Sequence, residues 1–440
     1  MRMRKLALLL TGAGLFAGCG GGAPQTAAPA ATRSATAANT GIELPDGFTA
    51  TIFADGLSSP RHIAVNTNGD VYVTLRSAQS PQAPNGAPGG VVGMRDTNGD
   101  GVADQIERFG RPDADTGMAI HDGTLYFSST TAIYALPLGG ALVPQGEPEV
   151  VVSGIPQSGG GHSSKPVTFD NDGHLYTQAG VPSNACQEQP RTPKSPGLTP
   201  CPFLEEYGGV FRLSAAARNQ VLGEDAIRYS TGHRNVVALE WNPIADKLYL
   251  VMHGRDQLDQ LWPDSFSEDE RVELPAEEFH QVNQGDNLGW PYTYYDPMRH
   301  QRMVGPEYGG DGETPAEPGK YKEPLIGFPA HWAPNDLVFY TGTQFPEKYR
   351  NGAFIAFHGS WNRQRERNGE QGGYAVVFVP MNAAGEVTGD WEIFADDFEG
   401  PNPVAAPTEA AHRPSGVAVG PDGSLYISDD TGGRIWKVSY

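Results

Sequence analysis

Short runs of alternating apolar and polar residues recur along the chain, and each is followed by a tight turn and a second run of the same kind. The C-terminal copy, RPSGVAVGPDGSLYISDDTGGRIWKV (413–438), shows the unit: an apolar strand, a Pro-Asp-Gly turn, and a second strand of period two. The same shape stands at 60–76, 116–138, 165–181 and 235–254, and with a longer turn at 335–359. In the four clearest copies Val65, Phe169, Trp241 and Val419 precede the turn, and Tyr72, Tyr176, Tyr249 and Tyr426 follow it at spacings of 7, 7, 8 and 7 residues. No helical periodicity separates the copies. Six strand-turn-strand units of about 66 residues each leave room for four strands and a loop per unit, so the pattern predicts an all-β, six-bladed β-propeller over residues 42–440 rather than a sandwich or a solenoid. GVFRLS (209–214) and GYAVVFVP (373–380) supply outer strands. FTATIFADG (48–56) has no blade of its own and is expected to close the ring beside RIWKVSY (434–440).

Composition agrees with a chain that turns often: 56 of its 440 residues are glycine and 37 are proline. Long helical bundles are thereby excluded. A net charge of −21 argues against a broad nucleic-acid surface, so any local basic pocket becomes informative. At the N-terminus three basic residues within Met1–Lys5 precede an apolar run, Leu6 to Phe16, shorter than the roughly 20 residues that span a bilayer. LFAGC (15–19) resembles a bacterial lipobox. Residues 1–19 therefore read as a lipoprotein-type signal peptide with Cys19 the lipidated residue, and 20–41 as a disordered tether poor in large apolar side chains. Export to the periplasm or cell envelope favours disulfides, and the two remaining cysteines, Cys186 and Cys201, are expected to bond.

In a propeller the loop entering each inner strand reaches the axial channel, so chemistry is sought just upstream of the repeats. Arg61 and Lys165 lie four positions before the anchors Val65 and Phe169; His162, Arg234 and His412 lie seven before theirs, with His62 and Arg413 adjacent. The acidic chain is thus expected to gather these basic groups at one opening, where guanidinium groups recognise carboxylates or phosphates.

GGGHSSKPVTFDNDGHLY (159–176), GHRN (232–235), VMHGRDQL (251–258), GDNLGWPY (285–292), FYTGTQFPEKYRNGAFIAFHGSWNR (339–363) and HRPSGVAVGPDGSLYISDDTGGRIW (412–436) together resemble the soluble pyrroloquinoline quinone (PQQ)-dependent sugar dehydrogenases, in particular the L-sorbosone dehydrogenase-like branch. The resemblance implies a PQQ and Ca²⁺ enzyme that oxidises an aldose, sugar aldehyde or polyol. It places His162 of GHSS as the base that takes the substrate hydroxyl proton, and Arg234 and Asn235 against the quinone oxygens. By the same resemblance the carbonyls of Gly254 and Arg255 fall near a Ca²⁺ acting as Lewis acid. His358, Asn362, Arg363, His412 and Arg413, with Arg61 and Lys165, fall to the cofactor, and Trp361 to cofactor, substrate or packing. Two positions depart from the glucose-oxidising branch: Val181 stands where an aspartate orients the histidine, and Asn362 where a lysine faces the cofactor.

Outside the channel, Asp96, Asn98, Asp100, Asp104 and Glu107 have the spacing of a calcium loop and suggest a structural Ca²⁺. No Cys-x-x-Cys-His haem motif occurs, so electrons must leave to a separate acceptor. A Ca²⁺-dependent sugar lactonase and a non-catalytic envelope-anchored binding propeller are the alternatives.

Overall fold

A computed structural model describes residues 41–76, 89–159, 161–359, 372–401 and 404–440. Cys19 and the leader, residues 20–40 of the tether, and Trp361, Asn362 and Arg363 lie outside them. Six blade sheets follow one another along the chain, antiparallel throughout except where Gln220–Val221 adds in parallel at the outer edge of blade 2; a separate hairpin, Thr293–Asp296 with Gln301–Val304, lies within the blade 4 region. Blade 1 holds Pro60–Val65, Val71–Leu75, Gly90–Arg95 and Gln105–Phe109. Blade 2 holds Met118–His121, Thr124–Ser128, Ile133–Pro137 and Glu149–Ser153. Blade 3 holds Thr168–Phe169, His174–Ala179, Gly209–Ser214 and Ile227–Thr231. Blade 4 holds Val236–Asn242, Lys247–Met252, Glu277–Val282 and Ile326–Phe328. Blade 5 holds Pro334–Phe339, Ala353–His358, Tyr374–Val379 and Glu392–Ala395. Blade 6 takes three strands from the C-terminus, Pro414–Val419, Leu425–Asp429 and Arg434–Ser439, and its fourth, Thr49–Ala54, from the other end. That last pairing runs antiparallel from Thr49 opposite Ser439 to Ala54 opposite Ile435, closing the ring as the sequence suggested.

Alternation along each strand explains the stacking of blades. In Val71–Leu75, residues Val71, Val73 and Leu75 pack into a cluster shared with blade 6, while Tyr72 packs into one shared with blade 2. A cluster of this kind fills each of the six interfaces between neighbouring blades. The repeated tyrosines point forward into the next interface, and three of their hydroxyls donate within it: Tyr72 to Leu142 O (3.1 Å), Tyr176 to Asp170 Oδ2 (3.0 Å) and Tyr249 to Gly385 O (2.7 Å).

Blade 3 departs from the pattern at its inner strand, which is reduced to two residues. Upstream, Pro166 has no N–H to give a ladder, and Gln178 spends its side-chain amide on Ser164 O at 2.6 Å. The stretch carrying His162 and Lys165 therefore runs as irregular chain. Insertions within blades 3 and 4 pack on one another beside it: Lys194 N–H donates to Leu261 O and Gly197 N–H to Glu307 O, both at 2.9 Å. The Cys186–Cys201 disulfide forms as expected and is buried with Val181 and Trp290.

Phe48, just before the closing strand, sits in a cage of four rings at 4.8 to 5.3 Å: Phe345, Tyr440, Phe394 and Tyr349. Phe48→Ala leaves that cage empty, and denaturant unfolding is expected to show a loss of about 3–5 kcal/mol.

Candidate active site

His162 is held by a main-chain acceptor. Its Nδ1 lies 2.6 Å from Val181 O. A carbonyl can only accept, so Nδ1 carries the proton, and in the neutral ring Nε2 keeps a bare lone pair. Burial, then the Arg234 charge, lowers the imidazole to about 3, which keeps it neutral at ordinary pH. The carbonyl of residue 181 thus supplies the acceptor that the missing aspartate side chain would have given. Gly180 makes the approach possible: a Cβ there would lie 2.8 Å from His162 O, from His162 Cβ and from Asn235 Oδ1.

Across blades 3 and 4, Arg234 is 4% exposed. Its Nη2 donates to Asp256 Oδ2 at 2.8 Å and to Asn184 Oδ1 at 3.1 Å, and its Nε to Asn184 O at 3.3 Å. Asn184 also grips the backbone of Asp256 from both sides, accepting its N–H (2.8 Å) and donating to its carbonyl (2.9 Å), while its own carbonyl takes the Trp290 indole N–H (3.0 Å). Asp256 Oδ2 takes a second guanidinium, Arg191 Nη2 at 3.0 Å, and His331 Nδ1 stands 3.9 Å from Oδ1. Burial would raise this carboxyl, but Arg234, His331 and Arg191 hold it well below the carboxylate range. Glu277 tethers the same loop, accepting N–H bonds from Gly254 (2.8 Å) and Ala333 (3.3 Å); burial raises it to about 7.

A second cluster joins blades 5, 6 and 1. Asp430 receives Arg61 Nη1 (2.8 Å), Arg76 Nη2 (3.1 Å) and His358 Nε2 (2.7 Å). Arg413 donates to His358 O (2.8 Å) and Gly359 O (3.1 Å).

Comparison with known proteins follows from this architecture. The TrAA12-like family model matches residues 42–440. The chain belongs to that family. The holo pyranose dehydrogenase PQQ domain of Coprinopsis cinerea superimposes with a TM-score of 0.67 at 19% identity, covering 91% of this chain and 97% of that one. The calcium structure of the Trichoderma reesei carbohydrate-active enzyme of family AA12 gives 0.70 at 18%, covering 90% and 96%. These likenesses establish the fold. In sequence, a PQQ-dependent pyranose dehydrogenase of Coprinopsis cinerea is 26% identical over 275 residues, 54% of this chain and 32% of that protein. The chain spans from about a third to about a half of the length of the curated relatives it matches.

Within this TrAA12-like chain several sequence expectations are corrected. The basic groups do not form one uncompensated cluster at an opening. Arg61 is 1% exposed and Lys165 0%, so both lie sealed within the ring. Burial lowers Lys165 to about 8 against the pull of Asp115, and its Nζ has no hydrogen-bond partner among the described residues. His62 turns to Asn335 O at 2.7 Å. His412 turns away from the Asp430 cluster to Asp429 (2.6 Å) and the edge of Trp436. The Arg255 side chain pairs with Glu307, leaving only its carbonyl for a cation.

The calcium-loop side chains are engaged largely within their own turn. Asp96 accepts N–H bonds from Gly99 (2.7 Å) and Gly101 (2.8 Å), Asp104 binds Thr97, and Asn98 and Asp100 bond each other, while Glu107 lies on an exposed strand. Among the described residues, the carboxylate and imidazole side chains that bring three ligand atoms within 4.8 Å of one another are Asp170, Asp172 and His174. Their cohesion is internal: His174 and Tyr176 both bond Asp170.

Sequence reasoning missed Asn184, Arg191, Asp256, His331 and Asp430. Asp256 was within reach, as it follows Gly254-Arg255 in HGRD; nothing about the spacing of the others marked them.

His62, His162, His233 and His358 are each lowered to about 3, with burial the first cause. The unfolded rings, near 6.5, take up protons that the folded rings refuse, so stability is lost as pH falls from 6.5 toward 3, at up to about 1.4 kcal/mol per unit for each ring. Tm is expected to drop between pH 7 and 5. His233→Gln, which retains a partner for Ser230 Oγ, flattens that slope when melting is followed by circular dichroism.

Proposed function

We propose that this chain is a PQQ- and Ca²⁺-dependent dehydrogenase that oxidises an aldose, a sugar-derived aldehyde or a polyol and passes the electrons to a separate acceptor. The observation that carries the reading is the set of His162, Arg234 and Asn235 at the blade 3–4 boundary, with His162 locked in the tautomer a general base requires. The buried atoms Asn235 Oδ1 and His253 Nδ1 have no hydrogen-bond partner among the described residues, so the site holds polar capacity suited to a polar planar ligand. Family membership and the pyranose dehydrogenase relatives support the same chemistry.

When bound, PQQ supplies the two-electron acceptor and Ca²⁺ the Lewis acid. Arg234 and Asn235 would hold the quinone, the carbonyls of Gly254 and Arg255 the cation, and Arg413 would serve the cofactor carboxylates. His162 Nε2 accepts the hydroxyl proton of the substrate, and Val181 O stabilises the imidazolium by accepting the hydrogen bond from Nδ1–H. Buried Arg234 fixes a positive charge where negative charge develops, without reorganisation. Asn184 keeps that guanidinium from rotating. A hydrolase built on a carboxylate-ligated cation fits less well, because Asp256 and Asp430 are each already capped by two guanidinium groups. The assignment to a sorbosone dehydrogenase-like enzyme, the leader 1–19 with Cys19, the tether 20–41, and an envelope location are part of this reading and rest on the sequence motifs.

Purified apoprotein given PQQ and Ca²⁺ is expected to take up the quinone, seen by absorbance, and to reduce a dye with at least one sugar from a panel of aldoses and aldehydes. His162→Ala retains quinone uptake and loses about 10²–10⁴ in kcat. Absence of quinone uptake sinks the reading; full activity in His162→Ala sinks the assignment of the base.

A further inference from the structure

Asp256 presents one oxygen to two guanidinium groups. Arg234 Nη2 lies 2.8 Å from Oδ2, and Arg191 Nη2 lies 3.0 Å from the same atom. The two arginines differ in origin and surroundings. Arg234 is buried at the entry to blade 4, whereas the Arg191 side chain is half exposed and comes from the loop closed by Cys186 and Cys201. A single Arg234–Asp256 pair would be neutral overall, and its field would decay as that of a dipole. With Arg191 added, the three groups carry one net positive charge.

We propose that Arg191 is a positioning residue that shares Asp256 and so leaves Arg234 with an uncompensated positive charge toward an anionic ligand in the channel. The inference rests on the PQQ reading above, since that quinone carries the carboxylates and the developing charge such a field would serve. The loop is built to deliver this side chain. Arg191 N–H donates to Gln187 Oε1 at 3.0 Å, and the same Gln187 holds Thr192 O (3.1 Å) and Ser195 O (3.3 Å) through Nε2. Arg191 sits at φ 50°, the left-handed region that turns the chain back toward Asp256. Its Nη1 donates to Gln257 Oε1, so the guanidinium is fixed from two sides. The disulfide closes this loop, and Asn184, two residues before it, contacts Arg234 and Asp256 directly.

The test is a charge series at residue 191, read by titrating apoprotein with PQQ at saturating Ca²⁺ and following the absorbance of bound quinone. Arg191→Gln is expected to raise the PQQ dissociation constant about 10-fold, Arg191→Glu to raise it further, and Arg191→Lys to restore most of the affinity. Because the side chain is half exposed, all three variants should keep the wild-type circular dichroism spectrum. Should one fail to fold, the other two still set the order by charge. A dissociation constant unchanged in both Arg191→Gln and Arg191→Glu overturns the proposal while leaving the PQQ reading standing. Lysine as damaging as glutamine also overturns it, since loop packing rather than charge would then be at stake. No quinone uptake by the wild type overturns both.

Discussion

The strands of this ring are consumed by packing on both faces, and that constraint decides where chemistry can occur. When Val73 faces one neighbouring blade and Tyr72 the other, no side chain on the strand remains for a ligand. The polar groups of the candidate site gather at strand ends and in the irregular segments between strands. His162, Asn184, Arg234, Asp256 and His358 all lie at such ends or in such segments. The shortened inner strand of blade 3 extends this further, giving up ladder bonds and gaining a stretch of free chain for His162.

Burying charge at those ends carries its own rule. A guanidinium or carboxylate out of water must be compensated, and here the compensation is shared rather than pairwise: Asp430 serves two arginines and a histidine, and Asp256 two arginines with a histidine at 3.9 Å. Sharing keeps cationic groups in place without cancelling them. An acidic protein can thus hold local cationic clusters in its interior, while side chains such as Asp264, Glu268 and Glu313 carry negative charge on its surface.

The ring was legible because its signal repeats. Apolar strand, tight turn and tyrosine recur at nearly fixed spacing, and a strand at 48–56 without a blade had one place to go. The Cys186–Cys201 bond was legible for a local reason, two cysteines bracketing one Pro-rich insertion. What escaped notice depends on contacts remote in sequence. Asn184 acquires its role only when Asp256, 72 positions on, meets its amide on both sides. Arg61 and Lys165 were misjudged because an upstream position tells that a residue faces the axis, not how deep it lies. His412 was misjudged because Asp429 and Asp430, adjacent in sequence, point to different partners. The carbonyl of Val181 was invisible in principle, since a main-chain acceptor carries no residue signature.

Ring closure also orders events in time. Thr49–Ala54 is made long before its partner Arg434–Ser439, with five blades between them. While the protein is being synthesised, this strand has no ladder to join, and blade 6 has no complete form. Contacts so distant in sequence are slow to form. The ring therefore stays open until Arg434–Ser439 is available, and a product cut short before that strand lacks the partner that would seat Phe48 and close the circle.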